Sequence, residues 1–321
     1  MRYSFLGNTG LKVSQLCLGA TEFGGNTPAE EARRIWSRCL DAGVNFVDTA
    51  DVCAHSETLL AELMRGRRQS LVLSTKVFRP TGPGPNDAGL SRKHIVQACE
   101  ASLRRLGTDY IDLYLAHSDD FLTPLEETLG AFDQLVRQGK VLYIGASNHC
   151  AWRLNEALWT ALDRGFARYC CAQALYNLRE REIEAELLPM CEHKGLGLIA
   201  WSPLARGALT DAKAGTGAGA QAGVSADTAA THARIDAALA QIAAQLQRPR
   251  SQVALRWVLD RPGVAAAAMG ASTLAQAEEN LGVADLELDP AQRAALDQAG
   301  APRLPYPALL EPLARALRSS G

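Results

Sequence analysis

Three titratable residues each follow a short apolar run. Asp48 ends Val44–Val47, Lys76 ends Leu71–Thr75, and His117 follows Ile111–Ala116. A lysine buried beside a carboxylate keeps its charge and lowers the pKa of a neighbouring acid. A histidine donates a proton or a hydrogen bond near neutral pH. Gathered at one opening, the three would polarise and protonate an oxygen that is gaining negative charge. Each also has a structural alternative: Asp48 and Lys76 as an ion pair closing a core, His117 as a satisfied core histidine. Further polar or flat residues end other apolar runs: Gly19-Ala20-Thr21, Asp51 and Cys53 just beyond Asp48, Ser147-Asn148, Gln173 with Tyr176 and Asn177, Trp201-Ser202-Pro203-Leu204, and Gly270-Ala271-Ser272. Trp201, followed by Ser-Pro-Leu, is a candidate ring partner for a flat cofactor.

The elements that carry these residues are punctuated along the chain. Tyr3 to Leu6, the turn residues Asn8-Thr9-Gly10 and Lys12 to Ser14 predict a hairpin. Strands are expected at Leu16–Gly19, Val44–Val47, Leu71–Lys76, Ile111–Ala116, Val141–Ala146, Tyr169–Gln173, Gly197–Ala200 and Val264–Met269. Helices are expected between them. One is capped by Thr27 with Pro28 and Glu30, and runs to Gly43. Others span 56–64, a stretch capped by Ser91 and ended by Gly107, a capping box at Thr123-Pro124-Leu125-Glu126 running to Gly139, then 152–164 and 182–193. Residues 211–230, rich in Gly and Ala, read as a mobile loop. Helices resume at 232–247 and at 251–260, capped by Ser251, and a last one starts at Asp289-Pro290 before a Pro-rich tail. Eight strands alternating with helices call for a parallel sheet. At this length they predict a closed (β/α)8 TIM barrel, an α/β fold with an N-terminal β-hairpin, as one domain over 1–321. No G-x-G-x-x-G opens a helix after a strand, which argues against a Rossmann domain. In a barrel the strand C-termini share one mouth, so the residues above converge.

Composition narrows the partners. The chain has 321 residues, 47% of them hydrophobic, and a net charge of −2. No basic footprint points to nucleic acid or to a membrane surface. No apolar run reaches the ~18 residues that a spanning helix needs. The cysteines at 17, 39, 53, 99, 150, 170, 171 and 191 include no CxxC pair and read as reduced thiols of a cytoplasmic protein. The expected partner is a small-molecule substrate, and no metal site is assigned.

Eight motifs in register make the chain similar to the aldo-keto reductases, in particular to the branch that includes the potassium-channel β subunits. They are Leu6-Gly7-x-Thr9-Gly10-Leu11-x-Val13-Ser14; Asn45-Phe46-x-Asp48-Thr49-Ala50-Asp51; Ser74-Thr75-Lys76; Asp112-Leu113-Tyr114-x-x-His117; Gly145-x-Ser147-Asn148; Gln173-x-x-Tyr176-Asn177-Leu178; Trp201-Ser202-Pro203-Leu204; and Gly270-Ala271-Ser272 with Gln276, Glu279 and Asn280. The resemblance implies a (β/α)8 barrel that binds NADP(H) and reduces aldehydes and ketones. It implies that Gly19, Ala20 and Thr21 border the cofactor and that Ser147, Asn148 and Gln173 hold the nicotinamide carboxamide. Trp201 would lie against the ring, and Ser202, Pro203, Leu204 and Gly207 would meet the pyrophosphate. Gly270, Ser272 and Gln276 would reach the 2′-phosphate, and Glu279 and Asn280 the adenine. The basic residue that many members use for the 2′-phosphate is absent from Gly270-Ala271-Ser272. Lys213 is a candidate substitute.

The resemblance also implies a catalytic tetrad of Asp, Tyr, Lys and His. Asp48, Lys76 and His117 match it, but the tyrosine position holds Cys53, and the segment after it runs early into Ser56-Glu57. Losing a positioned general acid costs ~10²–10⁴-fold in rate. A thiol is a weak, short donor, and near Lys76 it would become a thiolate if its pKa fell. Three expectations follow: an NADPH-dependent reductase whose proton comes from His117, His55 or water; altered chemistry such as imine reduction or non-redox elimination; or a low-turnover NADP(H)-binding partner or sensor.

Overall fold

In the computed structural model, which describes residues 1–213 and 225–310, two short strands come first. β1 (Tyr3–Phe5) and β2 (Lys12–Ser14) pair antiparallel. The remaining strands are β3 (Leu16–Gly19), β4 (Phe46–Asp48), β5 (Val72–Val77), β6 (Ile111–Ala116), β7 (Val141–Ser147), β8 (Tyr169–Leu175), β9 (Gly197–Trp201) and β10 (Val264–Met269). All eight are parallel, and β10 pairs with β3 to close the barrel. This is the (β/α)8 barrel with a hairpin that the strand–helix alternation predicts. No described helix is long and apolar enough to cross a membrane.

Side-chain alternation divides the core in two. Successive strand residues point to opposite faces. Cys17, Phe46, Leu113, Leu115, Cys171, Ile199 and Ala266 form the barrel interior, and Leu6 and Val13 of the hairpin segment pack into it. Leu16, Leu18, Val47, Leu73 and Tyr114 face outward onto the helices. The interior is tight at Gly145, where an added Cβ would stand 2.5 Å from Cys171 Sγ and 2.6 Å from Leu115 Cδ2.

The helices are α1 (Ala29–Asp41), α2 (Ala54–Leu63), α3 (Arg92–Leu106), α4 (Leu125–Arg137), α5 (Ala151–Arg164), α6 (Leu187–Lys194), α7 (Ala226–Leu246), α8 (Arg250–Leu259), α9 (Leu274–Leu281) and α10 (Pro290–Ala299). The cap at Ser91 forms as expected, and the helix expected from Asp289-Pro290 begins there, with Asp289 and Gln292 closing a capping box. Three expected caps do not form. Pro28 and Pro124 occupy the cap positions themselves, in extended conformation, so α1 and α4 each begin one residue later than expected. Thr27 Oγ1 is instead buried without a partner among the described residues, and the Thr123 hydroxyl donates to Asp120. Pro249 likewise begins α8, and the Ser251 hydroxyl turns to Glu279.

The expected helix over 182–193 divides into a 3₁₀ turn, Glu182–Ala185, and α6. The expected loop over 211–230 is shorter. Asp211–Lys213 form a 3₁₀ turn, and α7 starts at Ala226 with Ser225 as its cap. Residues 214–224 of that expectation, and the tail beyond 310, lie outside the described residues. α9 was not expected from the sequence, because its eight residues are too few to show a periodic stripe.

Candidate active site

The inward parity of the barrel continues past the core to the mouth. Cys17 leads to Gly19, Phe46 to Asp48, Ser74 to Lys76, Leu115 to His117, Gly145 to Ser147, Cys171 to Gln173, Ile199 to Trp201 and Ala268 to Gly270. Each second residue lines one cavity of about 730 Å³. Thr21, Asn148, Ser202, Pro203, Leu204, Gly207, Ser272, Gln276, Glu279 and Asn280 line it too. Of the cofactor candidates only Ala20 stands outside the lining: it is fully buried, and its carbonyl accepts from the Ser56 hydroxyl at 2.7 Å.

Lys76 and Asp48 form the buried centre. Lys76 Nζ donates to Asp48 Oδ2 at 2.5 Å and to the Thr49 carbonyl at 2.6 Å. Gln173 Nε2 reaches the same Oδ2 at 3.3 Å. Asp48 Oδ1 is buried with no partner among the described residues. Burial pushes the His117 imidazole down to about 4, with the charges of Lys76 and Arg79 acting in the same direction and Asp48 opposing them. At neutral pH His117 is therefore an uncharged hydrogen-bonding group and not an imidazolium acid.

Asn148 ties two further walls together. Its Nδ2 donates to the His117 carbonyl at 2.9 Å and to Ser147 Oγ at 3.0 Å, and its Oδ1 accepts from Trp201 Nε1 at 3.0 Å. Asn148 adopts φ 56°, and Ser202, Ala205 and Arg206 have φ of 52°, 49° and 54°. Non-glycine residues in this region store strain of about 1 kcal/mol or more each, and such residues cluster at ligand sites. In the turn after β9 the Gly207 N–H is spent on the Leu204 carbonyl at 2.9 Å. Ser272 N–H is spent on Gln276 Oε1 at 2.8 Å, just before the N-terminus of α9.

Cys53 departs from its expected place. It is the half-buried N-cap residue of α2, with no side-chain cap bond, and does not line the cavity. Burial raises its thiol pKa, Lys76 opposes the shift, and Glu22, Glu57 and Asp51 reinforce it. The thiolate expected from the neighbouring lysine is thus disfavoured. His55 is exposed and turned away as well, since a Cβ at Gly25 would stand 2.7 Å from His55 Nε2. Tyr176 is fully buried and donates to Glu184 at 2.6 Å, and Asn177 donates to the Ser202 carbonyl at 3.1 Å. Among the described residues, no tyrosine lines the cavity. The side chain of Lys213 lies outside the described residues. Sequence reasoning missed Glu22, Arg79 and Arg206, which also line the cavity. The signal for Arg79 was its place two residues beyond β5.

The barrel and this mouth define the class. The Aldo/keto reductase family matches residues 15–301. The chain is 39% identical to a Bacillus subtilis (strain 168) protein named uncharacterized oxidoreductase YrpG, over 90% of this chain and 93% of that protein. It is 38% identical to a probable voltage-gated potassium channel subunit beta of Arabidopsis thaliana, over 89% and 92%. With a putative voltage-gated potassium channel subunit beta of Schizosaccharomyces pombe (strain 972 / ATCC 24843) it shares 34% identity, over 87% of each. This chain belongs to the aldo/keto reductase family, whose members are oxidoreductases that generally bind NAD(P)H.

Proposed function

We propose that this protein is an NADPH-dependent oxidoreductase that reduces a small carbonyl, or a related C=N or C=C compound, without a phenolic proton donor. The observation that carries the reading is the cavity itself, where Asp48, Lys76, His117, Ser147, Asn148, Gln173 and Trp201 meet and no described tyrosine does.

The residues fit the cofactor. Ser147, Asn148 and Gln173 offer hydroxyl and amide groups for a carboxamide, and the Asn148 bond holds the Trp201 indole beside them. Ser202 and Leu204 line the same cavity, and the Leu204 N–H has no hydrogen-bond acceptor among the described residues. Ser272 and Gln276 stand at the electropositive end of α9, where an anion is favoured. When bound, NADPH would supply the hydride.

The remaining work falls to the chain. The Lys76 ammonium, fixed by Asp48 and Thr49, stabilises negative charge that develops on the substrate oxygen. Neutral His117 orients that oxygen by a hydrogen bond. The proton needed to complete an alcohol or amine comes from water at the open mouth, at a rate ~10²–10⁴-fold below that of a positioned acid. A C=N substrate that is already protonated escapes this penalty. The absence of a phenol also supports a second reading, a low-turnover NADP(H)-binding partner or sensor, to which the channel-subunit relatives add weight.

NADPH oxidation against aldehydes, ketones and cyclic imines, with fluorescence titration of cofactor binding, separates these readings. The expected result is tight NADPH binding, slow aldehyde turnover and faster imine turnover. Ordinary aldehyde rates would remove the need for an unusual donor, and no turnover with tight binding would favour the sensor. Failure to bind NADPH overturns the proposal. Cys53→Tyr is expected to raise a measurable aldehyde rate. Aldehyde reduction arising only in that variant would show that the native chain is no carbonyl reductase.

A further inference from the structure

Two arginines of the cavity wall, Arg79 and Arg206, make no side-chain ion pair among the described residues. Lys76 is neutralised by Asp48. Glu22 accepts from Asn26 and Glu279 from Ser251, and among the described residues neither makes an ion pair with either arginine. Arg79 lines the same wall and is exposed to the opening. Among the described residues its guanidinium makes no ion pair and no hydrogen bond. The backbone leading to it is nevertheless held at Val77 and Phe78. His117 N–H donates to the Val77 carbonyl at 2.9 Å, and Gly89 N–H donates to the Phe78 carbonyl at 2.8 Å. The charge of Arg79 is felt at the His117 ring. Arg79 follows Lys76 by three residues, at most about 10 Å of chain. One small molecule can therefore meet both.

We propose that Arg79 is the anion anchor of this cavity, so that the carbonyl compound taken here carries a carboxylate. The inference rests on the reading of the cavity as a carbonyl-reducing site. A guanidinium matches a carboxylate through two parallel N–H···O bonds, and such charge-assisted pairs are about twice as strong as neutral ones. The wall's other arginine, Arg206, lies in the turn after β9 among the residues assigned above to the cofactor, which leaves Arg79 for the substrate. The anchor also makes sense of the missing phenol, because a substrate held at a second point keeps its carbonyl near Lys76 and His117 without help from an acid.

The test compares para-carboxybenzaldehyde with benzaldehyde in the wild type, Arg79→Gln and Arg79→Lys, with NADPH present. The ratio of their kcat/KM values cancels any general loss in a poorly folded variant. The wild type should favour the carboxylated aldehyde, and Arg79→Gln should reduce that preference by about 10- to 100-fold, mainly through KM. Arg79→Lys should retain part of it. An unchanged ratio in Arg79→Gln overturns the proposal. A second arm needs no turnover: benzoate, benzamide and phenyl phosphate are titrated against intrinsic tryptophan fluorescence. Benzoate binding that exceeds that of benzamide and depends on Arg79 supports the anchor even if no aldehyde is reduced, in which case only the reductase reading fails. Benzoate binding indifferent to Arg79, or phenyl phosphate binding more tightly than benzoate, overturns the carboxylate assignment.

Discussion

Two acidic centres stand back to back across the barrel wall at β4 and β5, and they are solved differently. Inside, Asp48 receives Lys76 and Gln173 and borders the cavity. Outside, Glu57 is fully buried, receiving Thr75 Oγ1 at 2.7 Å and Arg105 Nε at 2.6 Å. Asp51 lies nearby with Oδ1 accepting from Val52 N–H at 2.7 Å and Oδ2 buried without a described partner. Thr75 and Lys76 are consecutive, and strand alternation sends one to each side. The inner centre pairs one carboxylate with one ammonium. The outer one sets two carboxylates against one partly exposed guanidinium. Burial, with Glu57 adding to it and the Val52 N–H opposing, raises the Asp51 carboxyl to about 7. The difference teaches that the balanced pair can border the cavity, while the unbalanced one is relieved by the raised Asp51 pKa.

The comparison breaks first at its ion pairs. Lys76→Met should cost about 3–5 kcal/mol in urea unfolding, because it strands a buried carboxylate, and adding Asp48→Asn should recover much of that loss. Arg105→Met should cost less, about 2–3 kcal/mol, since its side chain is 26% exposed and Thr75 still serves Glu57.

Asp51→Asn should stabilise the protein, by about 1–2 kcal/mol at about pH 8 and by almost nothing below about pH 4. The unfolded chain loses its Asp51 proton near ~3.9, while the native state keeps it to about 7. Native stability therefore falls as pH rises through that window, and the variant removes the fall. His117 has the opposite sign. The unfolded chain takes up its proton near ~6.5 and the native state only near about 4. Native stability falls as pH drops between those values. His117→Asn should flatten that acid limb by about 1 kcal/mol, read from denaturant midpoints across the range. If Asp51→Asn flattens the acid limb instead, the contrast between the two centres is wrong.

Much of the site was legible in the residues. Apolar runs ending in Asp48, Lys76, His117, Gln173 and Trp201 marked both the strands and their mouth, because buried parallel strands need continuous apolar sequence and polar residues can begin only where the strands reach solvent. The inward parity from Phe46 to Asp48 and from Leu115 to His117 was also written there. The caps at Thr27 and Thr123 were misread because each precedes a proline that takes the cap position itself. Arg79 was passed over, although it stands two residues beyond β5, because that place does not say which way the side chain turns.

By itself, then, the sequence determined the barrel, the order of its strands and the chemical types at its mouth, since these depend on periodicity and on neighbours along the chain. Only the tertiary structure decided the environments. It withdrew Cys53 and His55 from the cavity, lowered the His117 pKa by burial and placed Arg79 on the wall without a partner among the described residues. Burial and Coulomb interaction depend on distances between residues far apart in sequence, which no local pattern encodes. For Asn45 to Cys53 the consequence is concrete: its Asp48 end faces the cavity and its Cys53 end caps a helix.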